Sequence, residues 1–436
     1  MEAIEAVSYT DAAEKAAAAA TGSRYWTLTL LVLIATVSMV DKAFITVLFD
    51  PIKQEFGLTD REVSSLTTAF SIFFGVAGIG LGVLADRTNR RNLLAACMIF
   101  WSFATIGGGL AATFLQLFAL RFFVGAGESG ATPSALSMIS DLFRAKERAT
   151  AVGIYYFSTP IGSGIALAVG AVVEHAYGWR TTMMLAGLPG LLLTLLFLAT
   201  VKEPRRLSAQ GTAEREGVPP LMETFRYIAS QRSLLHVAAG ITLVIISVNG
   251  FGMWIFPFFT RVDHIPGESA GWEIGVSNYP ASMLAIFLIG VAADRLARRD
   301  ERWRVWLPAI LCFACLPIAY AAVSVREPIF GLALTGIWLA FGTGWYGAGY
   351  GVCQALVKPR MRATLNAILL LLTTLLGFGL GPFLTGAISD LLAPSVGVRS
   401  IGYGMVATNL LAVWAGIHFM LAARRLRPDL EKAAKT

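Results

Sequence analysis

Apolar runs of about twenty residues, each enough to cross a bilayer, recur from Tyr25 to Ala422, separated by short charged or turn-rich breaks. Hydrocarbon offers no partner to a free backbone N–H or C=O, so a chain with this pattern folds as a bundle of membrane-spanning helices. Composition agrees: 56% of residues are hydrophobic and 14% charged, against roughly 45–50% and about 25% in soluble domains. A soluble enzyme is excluded.

The runs divide into six segments near 25–49, 62–85, 93–113, 114–138, 149–173 and 181–201, and six more near 233–260, 271–293, 304–325, 328–352, 363–391 and 399–422. This predicts an all-α membrane protein of twelve helices in two six-helix bundles, 25–201 and 233–422. The polar stretch 202–232 between them, with Lys202, Arg205, Arg206, Arg215, Arg226 and Arg232 and with Pro204, Pro219 and Pro220, reads as a cytoplasmic linker, with a short amphipathic helix around Leu221 to Ile228 as the other reading.

Orientation follows from Lys and Arg, which collect in cytoplasmic loops. The termini and alternate connections hold 27 of the 35 basic residues and the opposite loops hold 6, while Lys42 and Arg121 fall inside helices. Segments 1–24 and 423–436 are therefore expected on the cytoplasmic side. The net charge of +7 is explained by this topology, and no nucleic-acid partner is expected. Residues 1–24 lack the basic start of a secretory signal, so retention is expected.

An internal repeat supports the two halves: Gly82-Val-Leu-Ala-Asp86-Arg87-Thr-Asn-Arg90-Arg91 returns as Gly290-Val-Ala-Ala-Asp294-Arg295-Leu-Ala-Arg298-Arg299, 208 residues on. Arg148-Ala-Thr and Arg362-Ala-Thr echo each other at an offset of 214. Repeated halves around a central site are transporter architecture.

These residues resemble the major facilitator superfamily, whose G-x-x-x-D-R-x-x-R-R loop is similar to both copies. Arg121-Phe-Phe-Val-Gly125-Ala-Gly127-Glu128-Ser, with Asp141, Arg148 and Asp41, is similar to the Spinster branch. That resemblance implies a proton-coupled carrier related to exporters of sphingosine phosphate and to lysophospholipid carriers, in the cell membrane and, for a prokaryote, the inner membrane. The chain departs from the pattern in one place, since Ala355 stands where an acid before Arg362 would match Asp141. The fifth helix, with Pro160, Gly162 and Gly164, lacks the full Gly-Pro pattern of drug antiporters.

Four charges lie inside expected helices: Asp41, Lys42, Arg121 and Glu128. A charge at mid-bilayer costs at least about 2.5–3.5 kcal/mol, so each needs a partner or water. Arg121 and Glu128 are two turns apart and share a face, where Gly125 and Gly127 leave room for a close neighbour. Asp41 and Glu128 are the expected proton carriers, with Arg121 alternating between a carboxylate and an anionic substrate group. A fixed packing role is the other reading, for Lys42 above all. Applying the 208-residue offset to Asp41 gives Asn249, a neutral amide.

The loop signature reads as a conformational lock built from Gly82, Asp86, Arg87, Arg90, Arg91, Asp141 and Arg148, with Asp294 and Arg295 in the second copy. Substrate contact is expected at Arg121, Lys42 and Asn249, and at a second-half wall of Trp254, Trp338, Trp345, Tyr346 and Tyr350, joined by Phe256 and Phe258. Such a site suits an anionic or zwitterionic amphiphile moved by alternating access; small organic anions and drug efflux are the alternatives. Gly-rich helices five and eleven could act as hinges or as close contacts.

Two motifs are declined. Gly125-Ala-Gly127-Glu-Ser-Gly130 follows no strand, so it is no dinucleotide loop, and Cys312-Phe-Ala-Cys315 has no second ligand pair. None of the eight lysines sits in a G-K-[ST] sequence and the four histidines are dispersed, so neither an ATP-driven pump nor an enzyme is expected, nor any cofactor or metal. The expected partners are substrate, protons and lipid around a monomer.

Overall fold

The computed structural model of the chain describes residues 2–204 and 221–434. Most of the expected linker, including Arg205, Arg206, Arg215, Pro219 and Pro220, lies outside the described residues. Among those described, all regular structure is helical.

The first half contains α1 (Glu2–Ala43), α2 (Phe49–Phe56), α3 (Asp60–Arg87), α4 (Arg90–Gly109), α5 (Phe114–Glu128), α6 (Ala131–Leu142), α7 (Ala145–Tyr156) and α8 (Ser158–Thr200). Local chemistry sets the starts. Thr59 accepts from the Glu62 amide while the Glu62 carboxylate reaches back to Thr59, a reciprocal cap that starts α3 at Asp60. Thr113 and Gln116 do the same for α5, and Asn89 caps α4. The expected helix 114–138 is interrupted between α5 and α6, because Pro133 has no N–H to offer the carbonyl four residues back, at Ser129.

The second half contains α9 (Leu221–Ser230), α10 (Arg232–Gly252), α11 (Ile255–Arg261), α12 (Gly267–Trp272), α13 (Tyr279–Ala297), α14 (Trp303–Ser324), α15 (Pro328–Thr343), α16 (Tyr346–Ala355), α17 (Arg362–Leu372), α18 (Gly381–Val396) and α19 (Ser400–Ala434). Short π-helical stretches join α12 to α13 at Glu273–Asn278 and α17 to α18 at Thr373–Leu380. The second ends just before Pro382, which cannot continue the regular hydrogen-bond ladder. The end of the expected linker is thus a helix, α9.

Nine helical stretches among the described residues are long and apolar enough to cross a membrane. Two of them, Thr150–Thr200 and Thr364–Ala433, run for 51 and 70 residues, far beyond the roughly 20 that one crossing needs. Each is broken at a glycine of positive φ, Gly178 in the first and Gly397 in the second. At Gly178 the backbone takes φ 76 and ψ 166, a conformation open to glycine because it has no Cβ. The α5–α6 pair, interrupted at its middle, is not among the nine.

Within the first half, α8 packs on α1 and α4, and α5 packs on α3 and α4; within the second, α19 packs on α10, α14 and α18. Two seams join the halves. Along one, α3 lies on α18 and the preceding π stretch; along the other, α8 lies on α12 and its π stretch. A Cβ on Gly164 would fall 2.5 Å from the Gly275 carbonyl oxygen, so backbone meets backbone there.

The seams hold at the end of the bundle away from the chain termini and separate toward the other. One apolar core at that distal end draws on both halves, with Phe44, Phe49, Leu66 and Leu167 beside Phe251, Trp254, Phe259 and Ile274. Toward the termini it gives way to two cores, one from the first half and one from the second. Gly80, Gly82, Gly153 and Gly347 there have nothing within 4 Å of an added Cβ. The halves are thus packed together at the far end and have separate cores toward the termini.

Candidate functional site

Asp41 and Lys42 stand at the end of α1, Thr105 on α4, and Arg121 and Glu128 two turns apart on α5. Arg121 Nη1 lies 3.4 Å from Asp41 Oδ1, and Lys42 Nζ lies 3.0 Å from Glu128 Oε2. Two ion pairs therefore cross between α1 and α5. The two carboxyl groups also face each other.

Hydroxyls complete the cluster. Thr105 donates to Asp41 Oδ2 at 2.7 Å, and Ser38, one turn before Lys42, donates to Glu128 Oε2 at 2.6 Å. Lys42 in turn donates to Ser38 Oγ at 3.2 Å. From α3, stacked Phe70 and Phe74 form an aromatic floor: Lys42 sits over Phe74 at 4.8 Å, and Arg121 over Phe70 at 5.3 Å. Glu128 Oε1 and Arg121 Nε are buried with no hydrogen-bond partner.

Access is unequal. The Arg121 side chain is 2% exposed, and that of Glu128 is fully enclosed, whereas Lys42 is 15% exposed. Lys42 is the more exposed of the two cations. Such charges are held in a nonpolar bundle only as satisfied pairs, since removing one partner of a buried pair typically costs about 3–5 kcal/mol.

The other predicted residues scatter. Trp254 and Trp338 are fully buried in the distal core, Trp254 donating to the Pro382 carbonyl and Trp338 tilted against Phe251 with ring centroids 4.3 Å apart. Trp345 is fully buried in the core of the second half, and Phe256 and Phe258 are buried too. Tyr346 is 42% exposed and stacks with Tyr350. The Asn249 amide donates to the Ile245 carbonyl of its own helix. Tyr346 and Tyr350 thus remain the accessible part of the expected wall.

In the loop signature, Arg90 is buried and holds Asp141 at 2.5 Å, Glu203 at 2.7 Å, Ser137 and the Pro204 carbonyl. Arg91 donates its amide to Glu203 and its guanidinium to the Leu198 carbonyl. These partners all belong to the first half or the start of the linker. Arg148 donates to the Ser140 carbonyl. Arg87, Asp294 and Arg295 are exposed, Gly82 is open, and the Asp86 side chain lies outside the described residues.

Sequence reasoning missed Ser38, Thr105, Phe70 and Phe74. Ser38 carried a signal, being one turn from Lys42, but hydroxyls are common in membrane helices. Among the described residues no group of three or more His, Cys, Asp or Glu is placed to hold a metal.

The chain belongs to the major facilitator superfamily, whose family model matches residues 31–377. Within it the relatives point to the Spinster type. A bacterial homologue of the human lysosomal transporter Spinster, solved in an inward-facing, unoccupied conformation, superposes with a TM-score of 0.85 at 28% identity over 93% of this chain and 98% of that one. The sphingosine-1-phosphate transporter SPNS2 of Danio rerio is 28% identical over 88% of this chain and 81% of its own length. An MFS-type efflux pump of Mycolicibacterium smegmatis is 28% identical over 93% and 94%. The protein is a multi-pass membrane transporter of the Spinster type, not an enzyme.

Proposed function

We propose that the protein is a proton-coupled secondary carrier of an anionic or zwitterionic amphiphile, a lysolipid or sphingoid phosphate in kind. Twelve spans, with both termini cytoplasmic and the 202–232 stretch as linker, form bundles 25–201 and 233–422 that rock about the central site. The break points at Gly178, Gly397 and Ser129–Gly130 support that number. The carrier works as a monomer.

The observation that carries this reading is the pairing of two enclosed carboxylates with two cations, of which Lys42 is the more exposed. With Asp41 and Glu128 both ionised, the four charges cancel. An anionic headgroup arriving at Lys42 competes with Glu128, leaving an enclosed carboxylate without its counter-charge. A proton on Glu128 restores neutrality, and Glu128 Oε1 accepts no hydrogen bond that the proton would displace. Substrate charge and proton then enter together. Tyr346 and Tyr350 give the less polar part of the molecule a surface.

Charge cancellation predicts electroneutral uptake of a net monoanion. In proteoliposomes with the potential clamped by potassium and valinomycin, the initial rate should follow the pH gradient and stay flat as potential varies; a steep voltage dependence would refute the one-for-one balance. Substrate class is tested by counterflow of labelled lysophospholipid, sphingoid phosphate and small organic anions. Saturable counterflow of small anions alone would overturn the amphiphile assignment. A second reading, multidrug efflux, accords with the similarity to the M. smegmatis efflux pump, and including cationic and neutral drugs in the panel separates it.

A further inference from the structure

The distal seal contains a charge network of its own, built around Arg261 at the end of α11. Arg261 donates through Nη1 to Asp60 at 2.7 Å and through Nε to Asp50, so one second-half cation holds two first-half acids. Asp60 also accepts from Lys53 at 2.6 Å and from Ser389 at 2.8 Å. Asp390 of α18 accepts the backbone N–H of Asp60 at 2.9 Å and of Arg61 at 2.8 Å. A carboxylate of one half therefore caps the first turn of a helix in the other, a favourable place for negative charge. The Arg261 guanidinium lies over the Trp254 ring at 5.3 Å, which fixes its direction.

Among the described residues, the ion pairs elsewhere do not bridge the halves. Arg90 with Asp141 and Glu203, and Arg24 with Glu147, stay in the first half; Arg360 with Glu223, and Arg427 with Asp300, stay in the second. Among the described residues, the pairs that join the halves are those of Arg261 and the looser His175–Glu268 contact, all at the distal end. We propose that Arg261 is the latch of the distal gate, with Asp50 and Asp60 as its counter-charges and Asp390 as a cross-bundle cap, and that parting these groups is the step that opens the far face. Rocking would transfer Arg261, Asp50 and Asp60 to water, which solvates each separately. The latch thus biases the carrier toward the state open at the terminal end.

The test needs no substrate. Nitroxide pairs at Leu110→Cys and Ile329→Cys report the distal end, and pairs at Asn92→Cys and Arg299→Cys report the terminal end, in purified full-length protein whose four native cysteines have been replaced. Arg261→Gln is expected to lengthen the distal distances and shorten the terminal ones together, with the ratio of distally closed to open molecules falling by roughly tenfold or more, the scale expected when a buried pair loses a partner. Asp390→Asn should move both in the same sense by less. Glu55→Gln is the control, since Glu55 pairs at the same end with Arg180 of its own half, and it should leave both distributions unchanged. That local pairing, together with the Trp179 indole, holds the Glu55 carboxyl below the usual carboxylate range. A distal distribution unaltered by Arg261→Gln, or broadened without terminal shortening, would overturn the latch. If Arg261→Gln does not purify, Asp390→Asn decides: no reciprocal shift would overturn it equally.

Discussion

Glu128→Gln is expected to abolish pH-driven accumulation, by at least about a hundredfold, while leaving exchange without a gradient measurable. Glutamine keeps the shape and can still accept from Ser38 and Lys42, yet it cannot titrate. It also leaves Lys42 without a counter-charge, so the site is fixed in the condition that Glu128 reaches only on protonation. A carrier locked there can still swap bound anions but cannot harvest a proton gradient. Counterflow in proteoliposomes at equal pH on both sides, set beside accumulation under an imposed gradient, separates the two. Equal loss of both activities in folded protein would mean that Glu128 serves binding or packing instead of coupling. Asp41→Asn should resemble it, with added structural cost, because Arg121 would lose its ion-pair partner while enclosed.

The second large effect is expected at Gly125. A Cβ there would stand 2.1 Å from the Phe70 carbonyl oxygen and 2.9 Å from its carbonyl carbon, so the obstacle is backbone that no rotamer change can move. Gly125→Ala would force α3 away from α5, and α3 carries both the aromatic floor under Lys42 and Arg121 and one of the seams between halves. Overpacking of this kind costs on the order of 1–3 kcal/mol or more; Gly125→Ala should melt several degrees lower, and Gly125→Leu should yield no monodisperse protein. Gly153, with nothing within 4 Å, is the contrast: Gly153→Ala should be neutral or stabilising by about 0.5–1 kcal/mol. A Gly125→Ala protein as stable as the parent by thermal scanning and size exclusion would contradict the close approach.

The helical class and the position of most segments were legible because apolar length is a strong signal that depends on neighbours in sequence alone. The interruptions were less so. Pro133 and Pro382 are visible in the sequence, but the path the backbone takes around each depends on the helices packed beside it. The four central charges stood out for the same reason that they are rare, the cost of charge in hydrocarbon. Their pairing did not: that Arg121 turns to Asp41 while Lys42 turns to Glu128 follows from the rotation of α1 against α5. The distal network was hidden most completely. Asp50, Asp60 and Arg261 read as ordinary loop charges and Asp390 as one at the end of an expected helix, and only the juxtaposition of segments 201 and 330 residues apart reveals them as one cluster.

Under the proposed coupling, substrate charge and a proton enter together through the Lys42–Glu128 pair. Its most direct test is the internal pH of sealed proteoliposomes, read by a trapped dye, when a net-anionic lysolipid or sphingoid phosphate is added outside at constant potential. Coupling through this pair should give saturable acidification of the lumen by the parent protein and none above the leak of protein-free vesicles with Glu128→Gln. Acidification of equal size in both proteins, with transport of the amphiphile demonstrated in each, would contradict it.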